Sequence, residues 1–140
     1  GFEYESRIFI DSKTILDING TLQMNVFNNG NFLPNTPSSI MNASLSRIFS
    51  DDLLLYANYR KIGGMYIDNK NVEDGYISSY SILDLGASIS WKKVKVDMKI
   101  NNVFNKLYST YGYSYEYNGY NAFYWPGADR NTFINLSYSF

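Results

Sequence analysis

The last nine residues, 132–140, alternate apolar and small polar side chains, unbroken from Ile134 onward, and stop on an aromatic ring. Successive side chains of a strand point to opposite faces. Ile134, Leu136, Tyr138 and Phe140 therefore share an apolar face, and Asn135, Ser137 and Ser139 a polar one. The same period-two pattern recurs along the chain and predicts about seven strands. Residues 2–10 set Phe2, Tyr4, Ile8 and Ile10 against Glu3, Glu5 and Arg7. Residues 14–27 give the cleanest case, with Leu16, Ile18, Leu22, Met24 and Val26 opposed to Asp17, Asn19, Thr21, Gln23 and Asn25. Residues 39–49, 53–62, 81–91 and 94–104 repeat it. Two residues misfit: Leu54 falls on a polar face, and Arg47 on an apolar one near a strand end, where its long stem lets the charge snorkel.

The connections carry a second pattern. Asp11-Ser12-Lys13, Ser50-Asp51-Asp52 and Lys92-Lys93 are tight turns, whereas residues 28–38, 68–80 and 105–131 are long and rich in Asn, Gly and Tyr. Short and long connections alternate throughout. A soluble meander has no reason to sort its loops this way, but a transmembrane β-barrel does, with short turns on the periplasmic side and long loops outside. The expected fold class is therefore all-β, an antiparallel transmembrane barrel. Seven strands whose last one descends from the longest loop place Gly1 on the outer side. Bacterial single-chain barrels have even strand numbers, so the count predicts at least one further strand upstream and a larger barrel.

Composition agrees. The 14 Tyr and 9 Phe suit interfacial aromatic girdles and outer loops. Mean hydropathy is −0.28, as expected when only every second residue of a strand must be apolar. The polar row of Asp17, Asn19, Gln23, Asn25, Asn58, Arg60, Asp84, Lys95, Asp97, Lys99 and Asn101 suits a hydrated lumen. A formal charge of −1 provides no basic field for nucleic acid. With no Cys and no His, the chain lacks disulfides, thiolate sites, and the commonest general base and metal ligand. No catalytic residue and no cofactor is expected, and a hydrolase is disfavoured because Ser or Asp mechanisms ordinarily recruit His. Residues 68–74, Asp-Asn-Lys-Asn-Val-Glu-Asp, do not make a calcium loop: Lys70 breaks the acidic spacing and Gly75 is displaced from the turn position. The sequons at Asn42 and Asn135 fall on predicted membrane strands and carry no glycosylation signal.

Two longer motifs carry a resemblance. Asn101-Asn102-Val103-Phe104-Asn105-Lys106-Leu107-Tyr108 resembles the element that ends the penultimate strand of TonB-dependent outer-membrane receptors. Tyr124-Trp125-Pro126-Gly127-Ala128-Asp129-Arg130-Asn131-Thr132-Phe133 resembles the element that leads into their terminal strand. Gly1-Phe2-Glu3-Tyr4-Glu5 and Ser81-Ile82-Leu83-Asp84-Leu85 resemble the starts of two earlier strands, in the family's order. Two departures stand out. Asp129 replaces a frequent Pro, and Asn131 adds a residue before Thr132-Phe133, which predicts a bulge at the rim.

The resemblance implies that residues 1–140 form the C-terminal part of a roughly 22-stranded barrel with a plugged lumen. It further implies uptake of a scarce ligand such as a ferric siderophore or cobalamin, driven by TonB through a plug domain that these residues do not include. The polar row would then hydrogen-bond the plug, and the apolar row would meet outer-membrane lipid. Tyr138 and Phe140 would be the terminal signal read by the barrel-assembly machinery. A complete small barrel serving as an adhesin or structural protein is the alternative, and it requires an even strand count.

Roles for the motif residues also follow from their chemistry. Pro126-Gly127 is expected to break pairing and turn the chain from loop to wall. Arg130 is expected to anchor a loop by hydrogen bonding rather than to bind lipid phosphate. Phe104 and Tyr108 are expected in an aromatic girdle. The Tyr-rich stretch 111–120, with Phe123, Tyr124 and Trp125, is the candidate ligand loop, because alternating Tyr offers a large amphipathic surface with few rotors. Tyr113, Tyr117 and Trp125 are the preferred contacts.

Overall fold

A computed structural model describes residues 1–140, and the alternating segments become strands. They are β1 (Phe2–Asp11), β2 (Thr14–Leu22), β3 (Ser39–Ser50), β4 (Leu53–Ile62), β5 (Met65–Tyr66), β6 (Tyr76–Ile77), β7 (Tyr80–Trp91), β8 (Val94–Asn101), β9 (Ser109–Glu116), β10 (Tyr120–Pro126) and β11 (Asn131–Tyr138). Seven of them form one antiparallel sheet in the order β1-β2-β3-β4-β7-β8-β11, matching the seven wall strands expected from the sequence. The other four make two separate hairpins, β5-β6 and β9-β10, inside the long connections.

Register confirms the two faces. Leu16 lies opposite Leu45, Ile18 opposite Ala43, Ala57 opposite Leu85, Ala87 opposite Met98, and Leu136 opposite Val96, so one apolar row crosses the sheet. On the other face Arg7 pairs with Asp17, Asn19 with Asn42, Asn58 with Asp84, and Ser137 with Lys95. Leu136 is 70% exposed, and no apolar layer covers its row. Within the sheet, Gly86 lies opposite Tyr56, whose ring occupies the space a Cβ on Gly86 would need. The aromatic ring covers backbone that the glycine leaves bare.

Several boundaries differ from expectation, each for a local reason. β2 ends at Leu22 because its partner β3 begins at Ser39; beyond that pair only the Gln23 N–H to Ser38 carbonyl bond (2.9 Å) and an isolated Val26–Phe32 bridge continue the hairpin. β8 ends at Asn101 because Asn102 takes a left-handed conformation (φ 50°) that no strand continues. The bulge expected at Asn131 is absent. Asn131 opens β11 as a regular partner of Asn101, and its side-chain oxygen accepts from Asn101 Nδ2 at 2.8 Å, so the extra residue is absorbed into the ladder.

The face assignment predicts unequal effects of charge. Leu136→Arg should destabilise the inserted barrel by ~2–4 kcal/mol, and Ser137→Arg by much less, because only the first faces hydrocarbon. Heat-modifiable gel mobility of the full-length barrel measures both, and equal effects would refute the assignment. In addition, β1 and β11 each have one neighbour in the sheet and one open edge. Unpaired edge groups cost several kcal/mol each in lipid, so residues 1–140 refolded alone in detergent should associate rather than give a monomer with full β signal. Light scattering with circular dichroism decides this.

Candidate functional site

The buried apolar residues are not in the wall. Met65, Ile67 and Ile77 form the one hydrophobic cluster, lying in the loop hairpin β5-β6 and its flank, with Ala122 of β10 packed against it. The even-numbered residues of β9 and β10 turn toward this cluster. Gly112 is required there, because a Cβ would run into Ile67 and the Phe123 carbonyl. The odd-numbered residues are left on the opposite, exposed face. Tyr113 stacks on Phe123 at 5.2 Å between ring centres and meets Trp125 at 5.4 Å, Tyr115 stacks on Phe123 at 5.5 Å, and Tyr111 meets Trp125 edge-on at 5.5 Å. The result is a continuous exposed aromatic ladder, preorganised by its own stacking.

Side-chain hydrogen bonds bind the three long connections together. Asn35, left-handed at φ 52°, donates through Nδ2 to the Gly112 carbonyl (2.9 Å) and accepts from the Gly112 N–H (3.0 Å), imitating a backbone bridge. Asn71 does the same for Phe32, accepting from its N–H at 2.5 Å and donating to its carbonyl at 3.0 Å. The Tyr120 hydroxyl donates to Asp68 Oδ2 (2.5 Å), the Tyr124 hydroxyl to the Asp74 carbonyl (2.6 Å), and Lys70 pairs with Glu116. Burial, followed by the bond to Asp68, pushes the Tyr120 phenol up to about 12. The Tyr124 phenol is raised mainly by burial, and the Lys70 ammonium mainly by its hydrogen bond to Glu116. Asp68 thus serves as a staple: its Oδ1 also accepts the Lys70 N–H at 2.7 Å.

The motif residues build the base of this assembly. Asn102 is 3% exposed; its Nδ2 donates to the carbonyls of Lys106 (2.9 Å) and Ala128 (3.1 Å), and its Oδ1 accepts the Lys106 N–H (2.8 Å). Asn105 Oδ1 accepts the Arg130 N–H (2.9 Å), so the Arg130 anchor is its backbone rather than its guanidinium. Tyr108 corrects the girdle expectation. Its ring covers Gly127 and sits 4.6 Å from the Tyr80 ring, while Phe104 is exposed beyond the end of β8. Pro126 does disturb pairing, through a register shift after Trp125, but Gly127 is needed for the close approach of Tyr108 rather than for a turn conformation. Phe133 lies on the polar face opposite Lys99.

Beneath the loops, the polar face carries an open hollow of about 550 Å³ lined by Asn19, Asn58, Arg60, Asp84, Lys99 and Asn131 among others. Its groups are mostly paired to one another: Asn42 Nδ2 to Asn19 Oδ1 at 3.0 Å, Ser44 Oγ to Asn58 Oδ1 at 2.6 Å, and Lys99 to Asp84 at 3.2 Å. Of the three residues singled out for ligand contact, the structure brings Tyr113 and Trp125 together and leaves Tyr117 apart at the hairpin tip, 73% exposed. Sequence reasoning missed Asn35, Asn71 and the Met65/Ile67/Ile77 cluster. The one available signal was an Asn directly after Pro34 in a Gly- and Asn-rich stretch.

No family model and no curated protein matches the sequence. Solved structures do. The ferric yersiniabactin uptake receptor FyuA from Yersinia pestis superposes with a TM-score of 0.84 at 22% identity, over 99% of this chain and 23% of that one. The chain shares its fold with a segment of that receptor. The siderophore receptor PiuA from Acinetobacter baumannii gives 0.79 at 18% identity, over 97% of this chain and 21% of that one. The ferric enterobactin receptor PfeA from Pseudomonas aeruginosa, solved with enterobactin, gives 0.79 at 20%, over 99% and 22%. The chain thus spans about a fifth of the length of these receptors.

Replacing Asn102 tests the base of the loop assembly. Asn102→Ala strips the Lys106 N–H and carbonyl and the Ala128 carbonyl of their side-chain partner and removes the amide that favours left-handed backbone at this position, so it should cost ~1–3 kcal/mol. Limited proteolysis between residues 103 and 130 should accelerate accordingly while the wall stays protected.

Proposed function

We propose that this chain is the C-terminal wall segment of a TonB-dependent outer-membrane receptor that takes up a ferric siderophore or a comparably scarce chelate. The observation that carries the reading is the likeness along nearly the whole chain to receptors for ferric yersiniabactin and ferric enterobactin. The order of the sequence motifs supports the C-terminal placement. In this reading the polar face contacts a plug domain in the lumen, the plug engages TonB, the apolar face meets lipid, and the terminal Tyr138 and Phe140 are read by the assembly machinery.

The loop assembly suits capture of a bulky ligand. A rigid aromatic surface presents flat, amphipathic area at small entropic cost, whereas a floppy loop would have to be ordered at the moment of binding. Tyr113 and Trp125 form the centre of that surface and Tyr117 its tip. Replacing Tyr113, Tyr117 and Trp125 together with Ala in the intact receptor should weaken binding about tenfold or more, the scale of losing aromatic anchors, and leave surface abundance unchanged. The assay titrates purified receptor with a panel of ferric catecholates, ferric yersiniabactin and cobalamin. Unchanged affinity across every ligand bound by the wild type would move recognition to the plug or to other strands.

A further inference from the structure

The apolar face of the wall carries a single ion pair. Of the five ion pairs, Arg7–Asp17, Lys95–Asp97 and Lys99–Asp84 lie on the polar face and Lys70–Glu116 lies among the long loops. Arg47–Asp11, at 3.2 Å, lies on the apolar row at the end of the short turns. A bulge puts Asp11 there: the pairing passes from Phe9–Ile15 to Asp11–Thr14, which turns Asp11 onto the face of Thr14, Leu16 and Ile18. Arg47 pairs with Thr14 on one side and Leu55 on the other, so it shares that row with Leu45.

The local hydrogen bonds hold the guanidinium without filling it. Asp11 Oδ1 accepts the Lys13 N–H (2.7 Å), and Oδ2 accepts from the Thr14 hydroxyl (3.1 Å) and Arg47 Nη1 (3.2 Å). Nη1 also donates to Thr14 Oγ1 (2.7 Å), and Thr14 is buried. Nη1 makes both of the guanidinium's bonds, which leaves the Nε–H and both Nη2 hydrogens without a protein acceptor. The Phe49 ring lies 5.4 Å from the guanidinium carbon, and the side chain remains about half exposed (47%). A fork of oriented donors beside hydrocarbon calls for an oxyanion that itself sits at the membrane interface.

We propose that Arg47 binds the phosphodiester of a zwitterionic glycerophospholipid in the leaflet on the side of the short turns, with Asp11 and Thr14 as positioning residues. Asp11 also discriminates. Its carboxylate disfavours a second negative charge, and with Asp51 and Asp52 in the next turn along the rim it favours a headgroup that carries an ammonium. The inference rests on the reading of the apolar row as the lipid face.

Delipidated full-length receptor is titrated with phosphatidylethanolamine, with phosphatidylglycerol, or with diacylglycerol of the same chains, and the first bound lipid is followed by native mass spectrometry. Wild type should bind phosphatidylethanolamine about tenfold tighter than diacylglycerol, the scale of one charge-assisted interaction. Arg47→Gln should erase that preference, and Arg47→Lys, which keeps the charge but not the fork, should retain only part of it. Asp11→Asn should narrow the gap between phosphatidylethanolamine and phosphatidylglycerol. An undiminished preference for phosphatidylethanolamine over diacylglycerol in a heat-modifiable Arg47→Gln or Arg47→Lys barrel overturns the proposal. A wild-type receptor that never becomes heat-modifiable overturns instead the membrane reading beneath it.

Discussion

Everything in this structure depends on an unbroken antiparallel ladder whose two faces must suit two different solvents. In a membrane no water is available to satisfy a stray N–H or C=O, so the backbone pairs strand to strand and leaves only the side chains free to vary. Because the side-chain period is two, slipping any strand by one residue would put its whole apolar row on the wet side. Leu16, Leu45, Ala57, Leu85, Met98 and Leu136 therefore have to stay in step across strands that are far apart in sequence. The bulges after Phe9 and Ile48 interrupt this row only at the short-turn rim, and the third tight turn, between Trp91 and Val94, reverses the chain without one.

The same constraint explains why the wall has no core of its own and the loops do. In the proposed membrane setting, wall side chains are satisfied by lipid on one side and by polar neighbours on the other, and neither demands mutual burial. The long connections stand outside both environments and must order themselves. Backbone pairing works within each loop hairpin, and of the 15 backbone hydrogen bonds outside regular elements only that from the Asn35 N–H to the Tyr66 carbonyl joins two of the long connections. Met65, Ile67 and Ile77 supply a small apolar centre, and Asn35 and Asn71 supply substitutes for backbone pairing. Asparagine suits this work because it tolerates left-handed backbone and carries one donor and one acceptor on the same planar group, as a peptide does.

What was legible in the sequence was what period and turn length encode. The seven wall strands, their faces, the three tight turns and the outward position of Arg47 all follow from residues within ten positions of one another. The loop assembly is of a different kind. Asn35 reaches Gly112 across 77 positions and Asn71 reaches Phe32 across 39, and neither contact leaves a local pattern. β5 and β6 are two residues each, too short to show a period. Tyr108 was misplaced for a related reason: a Tyr near a strand end suits a girdle by composition, and only the folded loop brings Gly127 beneath its ring.

The aromatic hairpin then acquires its form from two demands made on alternate residues. Gly112, Ser114, Tyr120 and Ala122 are committed to the loop core and its hydrogen bonds, which fixes the hairpin rigidly against the neighbouring connection. Tyr111, Tyr113, Tyr115, Phe123 and Trp125 are thereby forced onto the opposite face, where they have only one another to stack on. A strand that buried both faces would be a better-packed loop with nothing to offer a ligand. A strand that buried neither would need ordering on every binding event. Splitting the alternation between an anchoring face and an exposed aromatic face gives the loop rigidity and available apolar surface at once, the combination that the proposed role in ligand capture requires.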